Sequence, residues 1–366
     1  MTRHDSGRGG RLRSRLIPLT VASLAAIASA CAQEADLADV TADVDATTGD
    51  VDFEATPEFV SDAAERSTGE PYRLEMTLAM DLDFAGESFD FEAPMMSGEQ
   101  DGELSHIRMD MGPLMKEIGR LAPPGEAFPP DVSDADLTME IVADRQVMYL
   151  RAPMYEALAD MPGAAGQLGP MGDLAALGDA WGRVDLAELG DVLPLNDVAS
   201  AAGGQAADPR ALLDLVAGTD DVDELGDAEV RGVTVHGLAA QVTLGELLEA
   251  SGLSAEEFMR SLGRSQPAEA ESLMDSLLDA EMALEAWIDD DGYVRRMGYE
   301  FDLLATLAGV VPDQGAEGDA PSGFTYGITM DFFDYGDDSI AIEFPDPDEA
   351  VDVTDSFLEL YAGPAT

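Results

Sequence analysis

Basic side chains are scarce: 19 Lys and Arg stand against 75 Asp and Glu, a formal net charge of −56, and Lys116 is the only lysine. So acidic a surface repels polyanions, which excludes nucleic acid as a partner. Cysteine is rarer still. With Cys31 alone, the chain can form no internal disulfide, CxxC redox pair or multi-cysteine zinc site. Of three histidines, His4 lies in a segment expected to be removed, leaving His106 and His236 for acid–base or metal work. Nucleophile-elbow GxSxG, zinc-helix HExxH and P-loop motifs are missing. The expectation is a protein that is not an enzyme and uses no cofactor or metal.

Apolar residues make up 46 % of the 366, enough for a packed core, so a wholly disordered chain is excluded. The first 15 residues carry Arg3, Arg8, Arg11, Arg13 and Arg15, and an apolar run from Leu16 to Ala30 follows. A charged stretch before an apolar run shorter than the ~20 residues of a membrane span is the pattern of a secretory signal. The run ends in Ile27-Ala28-Ser29-Ala30-Cys31, which resembles the bacterial lipobox, with Ala28 where leucine is usual. That resemblance implies cleavage before Cys31 and acylation of its thiol. Two or three acyl chains on one residue anchor stably where a single chain is marginal. Loss of residues 1–30 removes five arginines and one aspartate, leaving 14 basic against 74 acidic residues, a formal charge of −60. No later run is apolar enough to span a bilayer, so the expected location is the extracytoplasmic face of the cell membrane, held by lipid.

Three regions are expected: 1–30 a signal peptide, 31–56 the lipidated cysteine and an acidic tether, and 57–360 one domain. The tether lacks any sustained apolar period and, as a random coil, spans roughly 27 Å. Its acidity, shared by the whole chain, fits either a salty medium or a biased genome.

Residues 57–67 read as a short helix with Phe59, Val60, Ala63 and Ala64 on its apolar side. From Tyr72 to Phe84 every second residue is apolar, the period of a long half-buried strand. Alternation returns at Phe89 and Phe91, at Ile107, Met109 and Met111, at Leu137, Met139 and Ile141, and at Val147 and Tyr149. Residues 144–146 join the last two runs as a hairpin turn. A second series is expected at 222–230, 233–244, 281–288, 293–303, 324–332 and 340–344, the last two paired through 334–338. Helical periodicity is confined to Leu114, Met115, Ile118 and Leu121, to residues 210–217, and to 244–278. The layout is α+β: one large antiparallel sheet of ten to twelve strands with a few helices on one side.

The order of several segments resembles the LolA-like fold, and within it actinobacterial lipoproteins of the LppX/LprG type. The carrying segments are Tyr72-Arg73-Leu74-Glu75-Met76-Thr77; Val147-Met148-Tyr149-Leu150-Arg151 with Trp181-Gly182-Arg183-Val184-Asp185-Leu186; Val230-Arg231-Gly232-Val233; Ala286-Trp287-Ile288-Asp289-Asp290-Asp291-Gly292-Tyr293; and Met330-Asp331-Phe332-Phe333. The resemblance implies a strongly curved sheet, a half-barrel whose concave face is covered by helices over an apolar cavity. It further implies binding or carriage of a lipid or lipid-anchored glycolipid between membrane and outer envelope, and it transfers no catalytic residue. It leaves protein partners unnamed.

Twelve of the 18 methionines lie between Met76 and Met171. Flexible thioethers adapt to irregular apolar shapes, so a methionine-lined cavity suits variable acyl chains as well as it suits ordinary packing. The expected inward set is Leu74, Met76, Leu78, Met80, Phe91, Met109, Met111, Met139, Ile141 and Tyr149 from the first series. Met297, Tyr299, Phe301, Tyr326, Ile328 and Met330 complete it from the second. A slip of one residue would turn a whole strand's set outward. Asp289-Asp290-Asp291-Gly292 lacks the spacing of a calcium loop and reads as a turn, and Trp181 and Trp287 read as sheet anchors. The alternative to a lipid carrier is an envelope scaffold or sensor with a filled core and an acidic surface for cationic partners.

Overall fold

The computed structural model describes residues 56–84, 87–121, 136–159, 174–190, 209–219, 222–250, 277–302 and 321–362. Cys31, the signal, the tether as far as residue 55 and residues 251–276 lie outside these, as do Pro123 and Pro124.

The first helix, α1 (Pro57–Gly69), starts where its sequence says it should. Thr56 Oγ1 accepts from Phe59 N at 3.2 Å and Pro57 fills the first turn, where its missing N–H costs nothing. Val60, Ala63, Ala64 and Ser67 form the buried stripe at helical spacing.

Six strands follow as a meander: β1 (Tyr72–Phe84), β2 (Glu87–Asp101), β3 (Leu104–Asp110), β4 (Thr138–Ala143), β5 (Val147–Arg151) and β6 (Gly182–Asp185). The helices α2 (Gly112–Leu121), α3 (Pro153–Ala159) and α4 (Leu186–Gly190) lie among and after them. After α5 (Pro209–Gly218) a second series begins: β7 (Val222–Val230), β8 (Val233–Thr243), α6 (Leu244–Ala250), β9 (Glu281–Asp289), β10 (Val294–Asp302) and β11 (Pro321–Phe333). A two-residue β12 (Val351–Asp352) and α7 (Thr354–Ala362) close the chain's described part. α6 is opened by a capping box, Thr243 Oγ1 accepting from Glu246 N and Glu246 Oε2 from Thr243 N at 2.7 Å.

All twelve strands form one unclosed sheet in the order β12-β6-β5-β4-β3-β2-β1-β11-β10-β9-β8-β7. Every pairing is antiparallel except β12 with β6. The two series meet at β1 and β11, whose register runs from Arg73 opposite Phe333 to Phe84 opposite Pro321. The buried side chains of α1, α2, α5, α6 and α7 belong to one core with Leu74, Met76, Leu78 and Met80 of β1. One face of the sheet is therefore the inner face, and the helices cover it.

Two expectations are corrected. Residues 340–344 are not a strand paired with β11: β1 and β10 already occupy both edges of β11, so no ladder remains for them. Residues 334–350 instead leave the end of β11 and cross the outer face to reach β12, which lies beside β6. Seven strand spacings are roughly 33 Å, well within the reach of about 58 Å for 17 extended residues. This strap is tied down by Arg73, which donates to Asp334 at 2.9 Å, Asp337 at 3.3 Å and Ser339 at 3.2 Å, and by burial of Ile340.

The second correction is Tyr149. In the β4–β5 ladder Ile141 faces Leu150 and Val142 faces Tyr149. Ile141 is on the inner face, so Tyr149 is on the outer one, where its ring meets the strap's Phe344 edge-on at 5.9 Å between centroids. β5 is buried on both faces, and alternation cannot be read from such a strand. Its inward residues are Met148 and Leu150.

Candidate functional site

Residues paired across an antiparallel ladder share a face, so the registers assemble the inner face row by row. One row holds Met80 with Phe91 on one side and Tyr326 then Phe301 on the other. The next holds Leu78, Ala93, Ile328 and Tyr299, and beyond them Leu284. A third is made of methionine alone over six consecutive strands: Met139, Met109, Met96, Met76, Met330 and Met297, from β4 to β10. The fourth holds Ile141, Ile107, Gly98, Leu74 and Phe332.

The structure thus places on one apolar face every strand residue of the sequence-derived set except Tyr149. Met111 follows β3 and is buried against the same core. The sequence reading missed Met95 and Met96, and it read Leu114 as a helix residue without placing it against the sheet. β2 carries a bulge: Met76 faces Met96 while Thr77 faces Pro94, so Met95 is the extra residue and two consecutive methionines are buried. Pro94 was the available signal, because proline inside a long strand marks an edge or a bulge.

Where the methionine row passes beneath α2, the side chains leave a gap of about 10 Å³ lined by Met76, Leu78, Met95, Met109, Met111, Leu114 and Tyr326. That is room for about one water-sized sphere. Leu114 forms the helix side of the gap, and α2 starts at Gly112, whose N–H is accepted by Asp110 Oδ1 at 2.8 Å. The lining is almost wholly apolar, so it offers van der Waals contact and almost no polar recognition.

The candidate chemical residues are occupied elsewhere. His106 Nε2 lies 2.9 Å from Glu140, which also accepts from Arg151 at 2.7 Å. His236 is held between Asp227 at Nδ1 (2.7 Å) and Asp290 at Nε2 (2.8 Å). Burial works against its charge, but the hydrogen bonds and attraction of Asp290 and Asp227 prevail and raise its pKa. Asp289 Oδ1 accepts from the N–H groups of Asp291 (3.0 Å) and Tyr293 (2.8 Å), and Oδ2 binds Arg295 at 2.6 Å. The acidic run is therefore built into the β9–β10 turn. Among the described residues no three His, Cys, Asp or Glu side chains converge as metal ligands. No described helix is long and apolar enough to cross a membrane.

No family model matches the chain, and no curated protein matches it. Solved structures do. LprF from Mycobacterium bovis is 12 % identical, with 79 % of this chain and 96 % of that one covered and a TM-score of 0.32. The lipoprotein LppX from Mycobacterium tuberculosis is 7 % identical over 78 % and 99 % of the two chains, with a TM-score of 0.29. At these values the likeness carries nothing about ligands, and the fold rests on the strand order itself: α+β, twelve strands, unclosed, with helices on one face.

Proposed function

We propose that this protein is a LolA-like envelope lipoprotein, anchored through acylated Cys31 on the extracytoplasmic face of the cell membrane, that binds lipid acyl chains between its sheet and helices. Its work is binding and transfer, with no catalytic step, and its cargo is a lipid or lipid-anchored glycolipid. The observation that carries the reading is the inner face itself: an unbroken apolar surface on an unclosed sheet, crossed by six methionines and holding a gap where α2 covers them. An acyl chain gains about 0.8 kcal/mol per CH₂ on leaving water, and a bilayer offers the same gain, so exchange with a membrane is close to balanced. Among the described residues the gap of about 10 Å³ beneath α2 is too small for a chain, so loading at this point requires α2 to part from the sheet.

The tight fit of α2 on the sheet supports a second reading, a scaffold or sensor with a permanently filled core. Lipid extraction and mass spectrometry of the purified lipoprotein separate the two. A reproducible lipid beyond the Cys31 acyl groups, lost in a Met76→Trp/Met109→Trp variant of unchanged melting temperature, supports binding. A folded, lipid-free protein that takes up no acyl probe from vesicles supports the scaffold.

A further inference from the structure

The six-methionine row has a direction. Its members come from six different strands, so it runs across the sheet, perpendicular to the chain, over five strand spacings or roughly 24 Å. One leaflet of a bilayer, half of a hydrocarbon core about 30 Å thick, is filled by acyl chains reaching about 15 Å. The row is long enough for a whole chain. Exposure falls along it in one sense: Met139 and Met109 are only partly buried, Met96 and Met76 are each 8 % exposed, Met330 2 % and Met297 0 %. The gap lies between, against Met76 and Met109, with the bulged Met95 beside it. Unbranched thioethers can swing aside without opening the hydrogen-bonded ladder beneath them, which branched side chains at the same positions would resist.

We infer that a bound acyl chain lies across the strands along this row, its head group at the β4 end near Met139 and its methyl end toward Met297 on β10. The inference rests on the lipid-binding reading above and adds the track, its polarity and its doorway. Flanking rows do not offer the same path. The row of Met80 ends in the aromatic rings of Phe91 and Phe301, and the row of Leu74 and Ile141 carries branched residues.

The test uses the full-length lipoprotein in phosphatidylglycerol vesicles containing hexadecanoic acid with a photoreactive diazirine at either its methyl end or the carbon next to its carboxyl group. After illumination and digestion, the methyl-end probe is expected to label β10 and β11 at Met297 and Met330. The carboxyl-end probe is expected to label β3 and β4 at Met109 and Met139. Met139→Trp, at the partly exposed end of the row, is expected to lower both labels about tenfold with an unchanged melting temperature, while Tyr149→Phe, on the outer face, leaves them intact. Identical patterns from the two probes, the reverse polarity, or labels confined to the Met80 or Leu74 rows overturn the track while leaving lipid binding standing. If neither probe labels the inner face in any variant, the lipid-binding reading fails and the track with it.

Discussion

Gly237 lies flat beneath Trp287: a Cβ built there would come within 2.7 Å or less of three atoms of the indole ring. The two are cross-strand partners of β8 and β9, and Trp287 packs with Val230, Val235 and Ala228 in a small second core apart from the main one. The indole N–H donates to Glu285 at 3.2 Å, and burial raises the pKa of that carboxyl group. Trp287 anchors the sheet, as its sequence context predicted, but needs a glycine opposite to do so. Gly237→Ala is expected to destabilise the domain by about 1–3 kcal/mol through overpacking, read from the midpoint of urea unfolding. Adding Trp287→Phe to that variant should recover part of the loss; a Gly237→Ala protein as stable as the parent would refute the packing account.

The His236 clamp gives stability a pH dependence of known sign. Only the imidazolium can donate from both ring nitrogens at once, so only the charged form satisfies Asp227 and Asp290 together. Its pKa in the folded state is raised above the ordinary 6.5, so the contribution is fully present below that value and is lost as pH climbs through the raised one. Melting temperatures should fall over that interval in the parent and fall less in His236→Gln. Parallel profiles for the two proteins would rule the clamp out.

Salt should stabilise this protein. With a formal net charge of −56, self-repulsion of the compact state exceeds what its few cations return, even though Arg73, Arg231 and Arg296 are all engaged by carboxylates. Exposed ion pairs contribute only about 0–1 kcal/mol each, so their screening is the smaller effect. Thermal unfolding in rising sodium chloride should shift upward most steeply below about 0.15 M, where the screening length shrinks through molecular dimensions. A melting temperature that declines with salt would show that the pairs outweigh the repulsion.

The strands were legible where one face is buried and the other wet. From Tyr72 to Phe84 every second residue is apolar and all but Ala79 of those between are polar, and β1 occupies that span. Legibility failed where burial is two-sided, as in Met148-Tyr149-Leu150, and where a ladder slips, as at Pro94 and Met95. It failed again at 340–344, because alternation shows that a segment is extended but not that a partner edge is free. Five of the six row methionines were recognisable as inward residues one strand at a time. That they stand side by side depends on register, which is a property of pairs and appears in no single segment.

The strap has a consequence for how the polypeptide assembles. A nascent chain emerges N-terminus first, so β1 to β6 are made long before their flanking partners. During that interval the main-chain donors and acceptors of β1 and β6 face outward on both sides of the meander, an open template for neighbouring chains. β11 fills one side and, only 17 residues later, β12 shields the other. Protection of both flanks therefore arrives in a single late event, delivered by one short stretch of polypeptide near the C-terminus.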